Sequence, residues 1–195
     1  MKSALLLIDV QKIYTTAGSP LLIDGHEVAI DNMNRLIAHA DAVGDLVVYV
    51  RHVHKKNGTD AGRMFDYLGT AGEMGFVEET EEVELDPRLM NSANGLFLTK
   101  NRYSAFVNTT LDQLLKQHEV NRVAVTGFMT DYCCETTARH AHDLDYFVDF
   151  IIDATGCPDA APDIRQPQIK VVTAAVLQGG FAQVLTTDDY LSRKA

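Results

Sequence analysis

The chain has 195 residues, of which 46% are hydrophobic and 23% are charged, a composition typical of a folded globular domain. Its formal net charge of −10 excludes nucleic acid and anionic membranes as expected partners, because both require clustered basic residues. No apolar run approaches the ~20 residues of a membrane span, and the N-terminus lacks a signal-peptide pattern. We therefore expect one domain, residues 1–195, that works in the cytoplasm on a small-molecule substrate.

Short apolar runs alternate with helical patterns along most of the chain. The runs predict strands, and apolar positions spaced three or four apart predict helices. The predicted strands are 3–10, 46–50, 95–100, 121–126, 146–152 and 181–185, and the predicted helices are 26–43, 108–118, 133–143 and 164–178. This alternation predicts an α/β fold, a three-layer, doubly wound sheet of about six mainly parallel strands.

The segment 51–94 interrupts the alternation with glycines, charges and isolated aromatic residues. Long surface segments of this kind often carry specificity, so we expect its large apolar side chains to shape a substrate pocket. These side chains are Phe65, Tyr67, Met74 and Phe76. The acidic run 78–84 within it is expected to be a solvated face.

Three predicted strands bring reactive side chains to one edge of the sheet. Asp9 closes the first strand, Lys100 closes the third, and Cys133 follows the fourth at the start of a helix. Ligand sites of open α/β sheets lie beyond the carboxyl ends of the strands, so we expect these three side chains to meet. Free N–H groups and the helix dipole predict a lowered pKa for the Cys133 thiol, and apolar surroundings predict a raised pKa for the Asp9 carboxyl.

The other cysteines have no predicted chemistry. Three cysteines are an odd number, which does not suggest a disulfide framework and fits a reducing compartment. Cys134 shares a predicted helix face with Ala138 and Ala141 that packs on the sheet, so we expect it to be inert. Cys157 lies in a predicted loop and is assigned no role.

Three motifs carry a family resemblance. They are Leu-Ile-Asp9-Val-Gln11, Thr-Lys100-Asn-Arg-Tyr103-Ser-Ala-Phe106 and Thr-Gly127-Phe-Met-Thr130-Asp-Tyr-Cys133. Together they resemble the isochorismatase-like cysteine hydrolases, a family that includes nicotinamidases and N-carbamoylsarcosine amidohydrolase. The resemblance implies an isochorismatase-like hydrolase fold of Rossmann-like topology, no cofactor, and a homodimer or homotetramer.

The resemblance also implies roles at the matching positions. Cys133 would be the nucleophile, Asp9 the general base and acid, and Lys100 the third member of a catalytic triad. The backbone N–H groups of Met129 and Cys133 would form an oxyanion hole, with a cis peptide bond just before Met129. The substrate pocket is expected to contain three aromatic side chains, which are Tyr14, Tyr103 and Phe128.

One stretch departs from the nicotinamidases, which carry a metal-binding Asp-x-His and a further His after the second strand. Here Arg51-His52-Val-His54 occupies that place, without the Asp or the later His. We therefore expect no metal, and we interpret His52 and His54 as exposed loop histidines.

Three functions fit these residues, and the first is favoured. It is cleavage of the C–N bond of a small amide through a thioester on Cys133, since acyl transfer requires a nucleophile. The second is isochorismatase-type hydrolysis of a vinyl ether, with Asp9 as the acid. The third is non-enzymatic binding of a small molecule, although no G-x-G-x-x-G follows the first strand and no G-x-x-x-x-G-K is present.

Overall fold

The computed structural model describes residues 2–67 and 75–193, in which six strands form one parallel sheet. The strands are β1 (Lys2–Ile8), β2 (Leu46–His52), β3 (Gly95–Lys100), β4 (Val120–Phe128), β5 (Phe147–Gly156) and β6 (Gln183–Leu185). Their order across the sheet is β3-β2-β1-β4-β5-β6. The predicted fold, a doubly wound α/β sheet, is confirmed.

Helices cover both faces of the sheet. The α-helices of the described residues are α1 (His26–Val43), α2 (Leu111–Gln117), α3 (Glu135–Asp143), α4 (Gln166–Gln178) and α5 (Thr187–Leu191). The first and the last pack on one face, and the other three pack on the opposite face. None of these helices combines the length and the apolar character that a membrane span requires.

The central strand β1 shows why the strands could be recognised. Every residue from Ala4 to Ile8 is buried, because Ala4, Leu6 and Ile8 face α2 and α3 while Leu5 and Leu7 face α1. A strand that is covered on both faces is apolar throughout, without alternation. Burial also determines α1, because its apolar stripe faces the sheet. The helix ends at Gly44, a residue in the left-handed conformation.

The strand order reverses between β1 and β4, which lie side by side in the middle of the sheet. Folds of this kind bind their ligands in the crevice at that point. Gly127 brings the two strands close together there. Its φ is +109°, and a Cβ atom at this position would collide with the backbone of Ile8. Glycine therefore allows β4 to place its final turn beside Asp9.

Several predicted boundaries differ from the observed ones. Strand β2 continues to His52 and β5 to Gly156, because strand pairing extends beyond the apolar runs: His52 pairs with Lys100 and Gly156 with Phe128. The helix predicted from residue 133 begins as a π-helical turn, Thr130–Cys134, and becomes α-helical at Glu135.

Candidate active site

Three polar side chains meet beyond the carboxyl ends of β1, β3 and β4. Lys100 Nζ lies 2.7 Å from Asp9 Oδ2 and 3.2 Å from Cys133 Sγ. The three residues, called the triad below, are almost completely buried, with exposed fractions of 0% for Asp9, 2% for Lys100 and 3% for Cys133. The structure thus brings together the three side chains that were predicted from separate parts of the sequence.

The Lys100 ammonium is the centre of the triad. It also donates a hydrogen bond of 3.0 Å to the carbonyl oxygen of Arg102. Its contact with Asp9 is an ion pair at 2.7 Å, and no other described residue donates a well-aligned hydrogen bond to the Asp9 carboxylate. Burial alone would lower the pKa of Lys100, but the Asp9 carboxylate raises it above its usual value. Lys100 is therefore a cation at neutral pH.

Asp9 occupies an unusual backbone position. Its φ is +51°, a left-handed conformation that few residues other than glycine adopt, and its N–H donates to the carbonyl oxygen of Val50 at 2.9 Å. Burial raises the pKa of its carboxyl, and the nearby Lys100 charge offsets only part of that effect. The predicted raised pKa of Asp9 agrees with this direction.

The predicted lowering of the Cys133 pKa is wrong. Burial raises the pKa of the thiol to about 12, and it outweighs the opposite effect of Lys100, while the Asp9 charge raises the pKa further. The thiol is therefore protonated at rest and needs a proton acceptor before it can attack. A carboxylate oxygen of Asp9 lies within 4.8 Å of the sulfur.

The turn that carries Cys133 begins with a cis peptide bond between Phe128 and Met129, as the family resemblance implies. The carbonyl oxygen of Met129 accepts hydrogen bonds from the N–H groups of Tyr132 and Cys134, at 3.3 and 3.1 Å. Within the described part of the chain, the Met129 N–H itself has no acceptor. The turn thus offers a free backbone donor next to the nucleophile position.

The three aromatic side chains that were expected in the substrate pocket each pack against another aromatic ring. The Tyr14 ring is buried and lies 5.8 Å from the Phe128 ring and 5.9 Å from the Phe76 ring. Phe128 sits behind Tyr14 in the core on the α1 side. Tyr103 is half-buried, with its ring 5.5 Å from that of Tyr132.

The large apolar side chains of segment 51–94, which were expected to shape the pocket, have different outcomes. Phe65 and Phe76 pack on two histidines, with ring centroids 5.3 Å from His54 and 4.6 Å from His52 respectively. Tyr67 is 93% exposed, so its expected place in a pocket wall is wrong. Met74 lies outside the described residues.

The interpretation of His52 and His54 as exposed loop histidines is wrong as well. Their exposed fractions are 1% and 0%. His52 is the last residue of β2, and the backbone of His54 exchanges hydrogen bonds with Phe76 and Glu78, at 2.7 and 2.8 Å. Their alternate positions place both side chains on the triad side, where the aromatic rings cover them.

Gln11 is a further residue that sequence reasoning missed, although it belongs to the first motif. Its side chain donates to the carbonyl oxygens of His52 and Val83, both at 2.9 Å, and accepts from the His52 N–H at 2.8 Å. These bonds fix the end of β2 beside the turn after β1, and so they hold His52 next to Asp9. The available signal was a glutamine immediately after an apolar run, a position where a buried side-chain amide must find hydrogen-bond partners.

The described residues do not fit a metal ion at the triad. Donor atoms of Asp9, His52 and Cys133 lie within 4.8 Å of one another, a spacing that can suggest ligands. However, Lys100 Nζ lies among them, 2.7 Å from Asp9, 3.2 Å from Cys133 and 3.4 Å from His52. A second cation there would be repelled by the buried ammonium.

The remaining cysteines are also buried, and neither forms a disulfide. Cys134 faces the core with Ala138 and Ala141, and its thiol lies 3.6 Å from the carbonyl oxygen of Thr126. This is the packing role that was predicted for it. Cys157 follows the last residue of β5.

The comparison with protein families identifies the chain. A family model described as the isochorismatase domain matches residues 3–189. The chain belongs to the isochorismatase family. This membership confirms the family resemblance that the three motifs indicated.

Individual relatives of this isochorismatase-family chain include two amidohydrolases. Ureidoacrylate amidohydrolase RutB from Klebsiella pneumoniae is 29% identical over 175 residues, which cover 79% of this chain and 73% of that protein. Ureidoacrylate amidohydrolase RutB from Variovorax paradoxus is 28% identical, over 97% of this chain and 80% of that protein.

Solved structures of other proteins share the architecture. A cysteine hydrolase from Pseudomonas syringae has a TM-score of 0.89 and 26% identity, over 97% of this chain and 91% of that one. N-carbamoylsarcosine amidase from Thermoplasma acidophilum has a TM-score of 0.76 and 23% identity, over 96% of this chain and 98% of that one, which supports the fold alone.

Proposed function

We propose that this protein hydrolyses the C–N bond of a small amide through a thioester on Cys133. The observation that carries the proposal is the buried contact of one ammonium, Lys100, with both the Asp9 carboxylate and the Cys133 thiol. Acyl transfer requires such an activated nucleophile, whereas protonation of a vinyl ether requires only an acid. The presence of the thiol in the triad therefore favours the amide.

Relatives suggest the class of amide to test first. The two amidohydrolases named above act on ureidoacrylate, a compound in which the carbonyl group lies between nitrogen atoms. Ureido compounds are therefore the leading candidates, and simple carboxamides are the second. The aromatic rings of Tyr14 and Tyr103 would contact the substrate beside the triad.

In the acylation step, Asp9 accepts the thiol proton while the sulfur attacks the substrate carbonyl carbon. The resulting oxyanion is stabilised by the backbone N–H groups of Met129 and Cys133. Asp9 then returns the proton to the nitrogen, the C–N bond breaks, and ammonia or an amine leaves. Lys100 keeps its positive charge during this step and stabilises whichever of its two partners is negative.

In the deacylation step, Asp9 accepts a proton from water, which attacks the thioester carbonyl carbon. The C–S bond breaks, and the sulfur recovers its proton from Asp9. The products are the free thiol and a carboxylic acid, or a carbamic acid when the substrate is a ureido compound and the acyl group on sulfur is the corresponding thiocarbamate, so the protein returns to its starting state. Three unpaired cysteines fit catalysis in the reducing cytoplasm.

A substitution at the nucleophile, with its neighbour as control, tests this function. Ureido compounds and carboxamides would be screened for ammonia release with the wild type, Cys133→Ala and Cys134→Ala. We expect activity in the wild type and in Cys134→Ala, and none in Cys133→Ala, because only Cys133 contacts Lys100. An acyl adduct on Cys133, detected by mass spectrometry, would establish the thioester. Full activity of Cys133→Ala, or turnover of vinyl ethers alone, would contradict the proposal.

A further inference from the structure

A row of ring nitrogen atoms leads from the triad toward the surface. His52 Nδ1 lies 3.4 Å from Lys100 Nζ and 4.0 Å from Asp9 Oδ2. On the other side of the ring, His52 Nε2 lies 2.9 Å from His54 Nε2, a hydrogen-bond distance. His54 Nδ1 in turn lies 3.6 Å from Asp60 Oδ1, and the Asp60 side chain is 16% exposed.

Both imidazole rings are buried among charged groups. These groups are Asp9, Lys100, Arg102 and Asp60. Burial lowers the pKa of both histidines, Lys100 lowers that of His52 further, and Asp60 only partly offsets burial at His54. Both rings are therefore neutral at neutral pH. A neutral imidazole carries one donor and one acceptor nitrogen, so it can gain a proton on one side and release one from the other.

A single direction of proton donation is consistent along the whole row. Lys100 donates to His52 Nδ1, His52 Nε2–H donates to His54 Nε2, and His54 Nδ1–H points to Asp60. His54 Nδ1 is buried and has no hydrogen-bond partner among the described residues. Unpaired buried nitrogen atoms are uncommon, and Asp60 Oδ1, at 3.6 Å, lies just beyond hydrogen-bond distance of this one.

We propose that His52, His54 and Asp60 form a proton path between the triad and solvent. A proton leaves Lys100 for His52 Nδ1, a second moves from His52 Nε2 to His54 Nε2, and a third moves from His54 Nδ1 to Asp60. Each ring ends neutral, and a protonated Asp9 restores the proton of Lys100. The net change is the transfer of one proton from Asp9 to Asp60, with both imidazole rings converted to their other tautomer. This inference rests on the proposed amide hydrolysis.

The reaction needs such a path because the triad has almost no contact with solvent. Hydrolysis of the thioester produces a carboxylic acid, which ionises at neutral pH; when it ionises before it leaves the buried site, Asp9 is the neighbouring base that accepts its proton. If that proton remained on Asp9, the carboxyl group could not accept the next thiol proton. His52 and His54 are thus positioning and transfer residues that act through Lys100 and Asp9.

An activated ester isolates the step that depends on the path. With p-nitrophenyl acetate, Cys133 transfers its proton to Asp9, the sulfur–carbon bond forms, and nitrophenolate leaves with the electron pair of the C–O bond. Nitrophenolate takes no proton, so Asp9 remains protonated and must lose its proton before it can activate water. The burst of nitrophenolate reports acylation, and the slower steady phase reports deacylation after proton loss.

We would compare the wild type with His54→Gln, whose amide can hydrogen-bond to His52 but cannot relay a proton, and with Asp60→Asn at the exposed end. The matched control is His26→Gln, because His26 is also buried, with Nδ1 2.7 Å from the carbonyl oxygen of Ile23. We expect His54→Gln and Asp60→Asn to keep the wild-type rate of the burst, whereas the rate of their steady phase should fall at least about tenfold. The control should change neither phase.

Two results would overturn the path. One is a steady phase that stays at the wild-type rate in both variants, and the other is an equal loss of burst and steady phases, which would indicate a structural role. If His54→Gln fails to fold, as judged by its thermal unfolding, Asp60→Asn alone decides. Absence of a burst in the wild type, or a burst that persists in Cys133→Ala, would overturn the proposed function and the path with it.

Discussion

Replacement of Asp9 by Asn is the sharpest test of the triad, because the thiol pKa and the reaction rate should change in opposite senses. Asp9 raises the pKa of Cys133, and Lys100 lowers it. Without the carboxylate charge, the effect of Lys100 is unopposed, so the thiol pKa falls from its value of about 12. The thiolate becomes easier to form just as the group that accepts the thiol proton is lost.

The size of the effect follows from the separation of the two groups. The carboxylate oxygen and the sulfur lie within 4.8 Å, and at an effective dielectric constant of about 20 the Coulomb energy at that distance is about 3.5 kcal/mol. Since about 1.4 kcal/mol changes an ionisation constant tenfold, the thiolate fraction at a fixed pH should rise at least about a hundredfold. Turnover should fall roughly a hundredfold to ten-thousandfold, as expected for loss of a general base.

The assay titrates the ultraviolet absorbance of the thiolate in Asp9→Asn and subtracts the same titration of Asp9→Asn with Cys133→Ala. Asp149→Asn is the matched control, because Asp149 is also fully buried and lies 2.9 Å from both Arg122 and Arg193. It should lose stability and leave the thiol titration unchanged. A thiol that titrates alike with and without Asp9, or wild-type turnover in Asp9→Asn, would refute the reasoning.

Two further predictions concern the turn and the pH profile. Gly127→Ala should cost about 2–5 kcal/mol of unfolding free energy in urea titrations, because it combines backbone strain with a collision against Ile8. Gly18→Ala, which also has a positive φ but faces open space, should cost only about 1–2 kcal/mol, and equal losses would argue against the collision. In a pH profile of kcat/KM, activity should fall as the pH drops through the raised pKa of Asp9 and therefore at a pH above 3.8. It should persist on the alkaline side to above about pH 10, since the pKa of Lys100 is also raised, and an early alkaline loss would contradict the assigned protonation states.

The elements that could be predicted are those whose own sequence shows which residues are buried. Helix α1 was placed to the residue and strand β1 to within two residues, because an apolar stripe or an unbroken apolar run is itself the cause of the element. Strand β3 was also placed to the residue, although it is an edge strand with partly exposed side chains. Helix α5 was missed, since five residues are too few to show a period. Its capping box, Thr186 with Asp189, was the signal that could have revealed it.

The meeting of the triad side chains could be predicted from the sequence, but the direction in which the thiol pKa shifts could not. Asp9 directly follows the last residue of β1, and Lys100 is the last residue of β3, so the parallel topology alone brings them to one edge of the sheet. The thiol pKa depends instead on how completely distant parts of the chain exclude water. The burial of His52 and His54 could not be predicted either, because Phe65 and Phe76 cover them from a segment without periodicity.

The buried site makes proton transfer within the triad easier than ionisation of any one member. With Asp9 and Lys100 charged and the thiol neutral, the triad has no net charge, and moving the thiol proton to Asp9 leaves the net charge at zero. Loss of the same proton to solvent would instead leave an uncompensated negative charge in a dry pocket, which is costly. A thiol with a pKa of about 12 is therefore compatible with catalysis, because Lys100 stabilises the thiolate once Asp9 has become neutral.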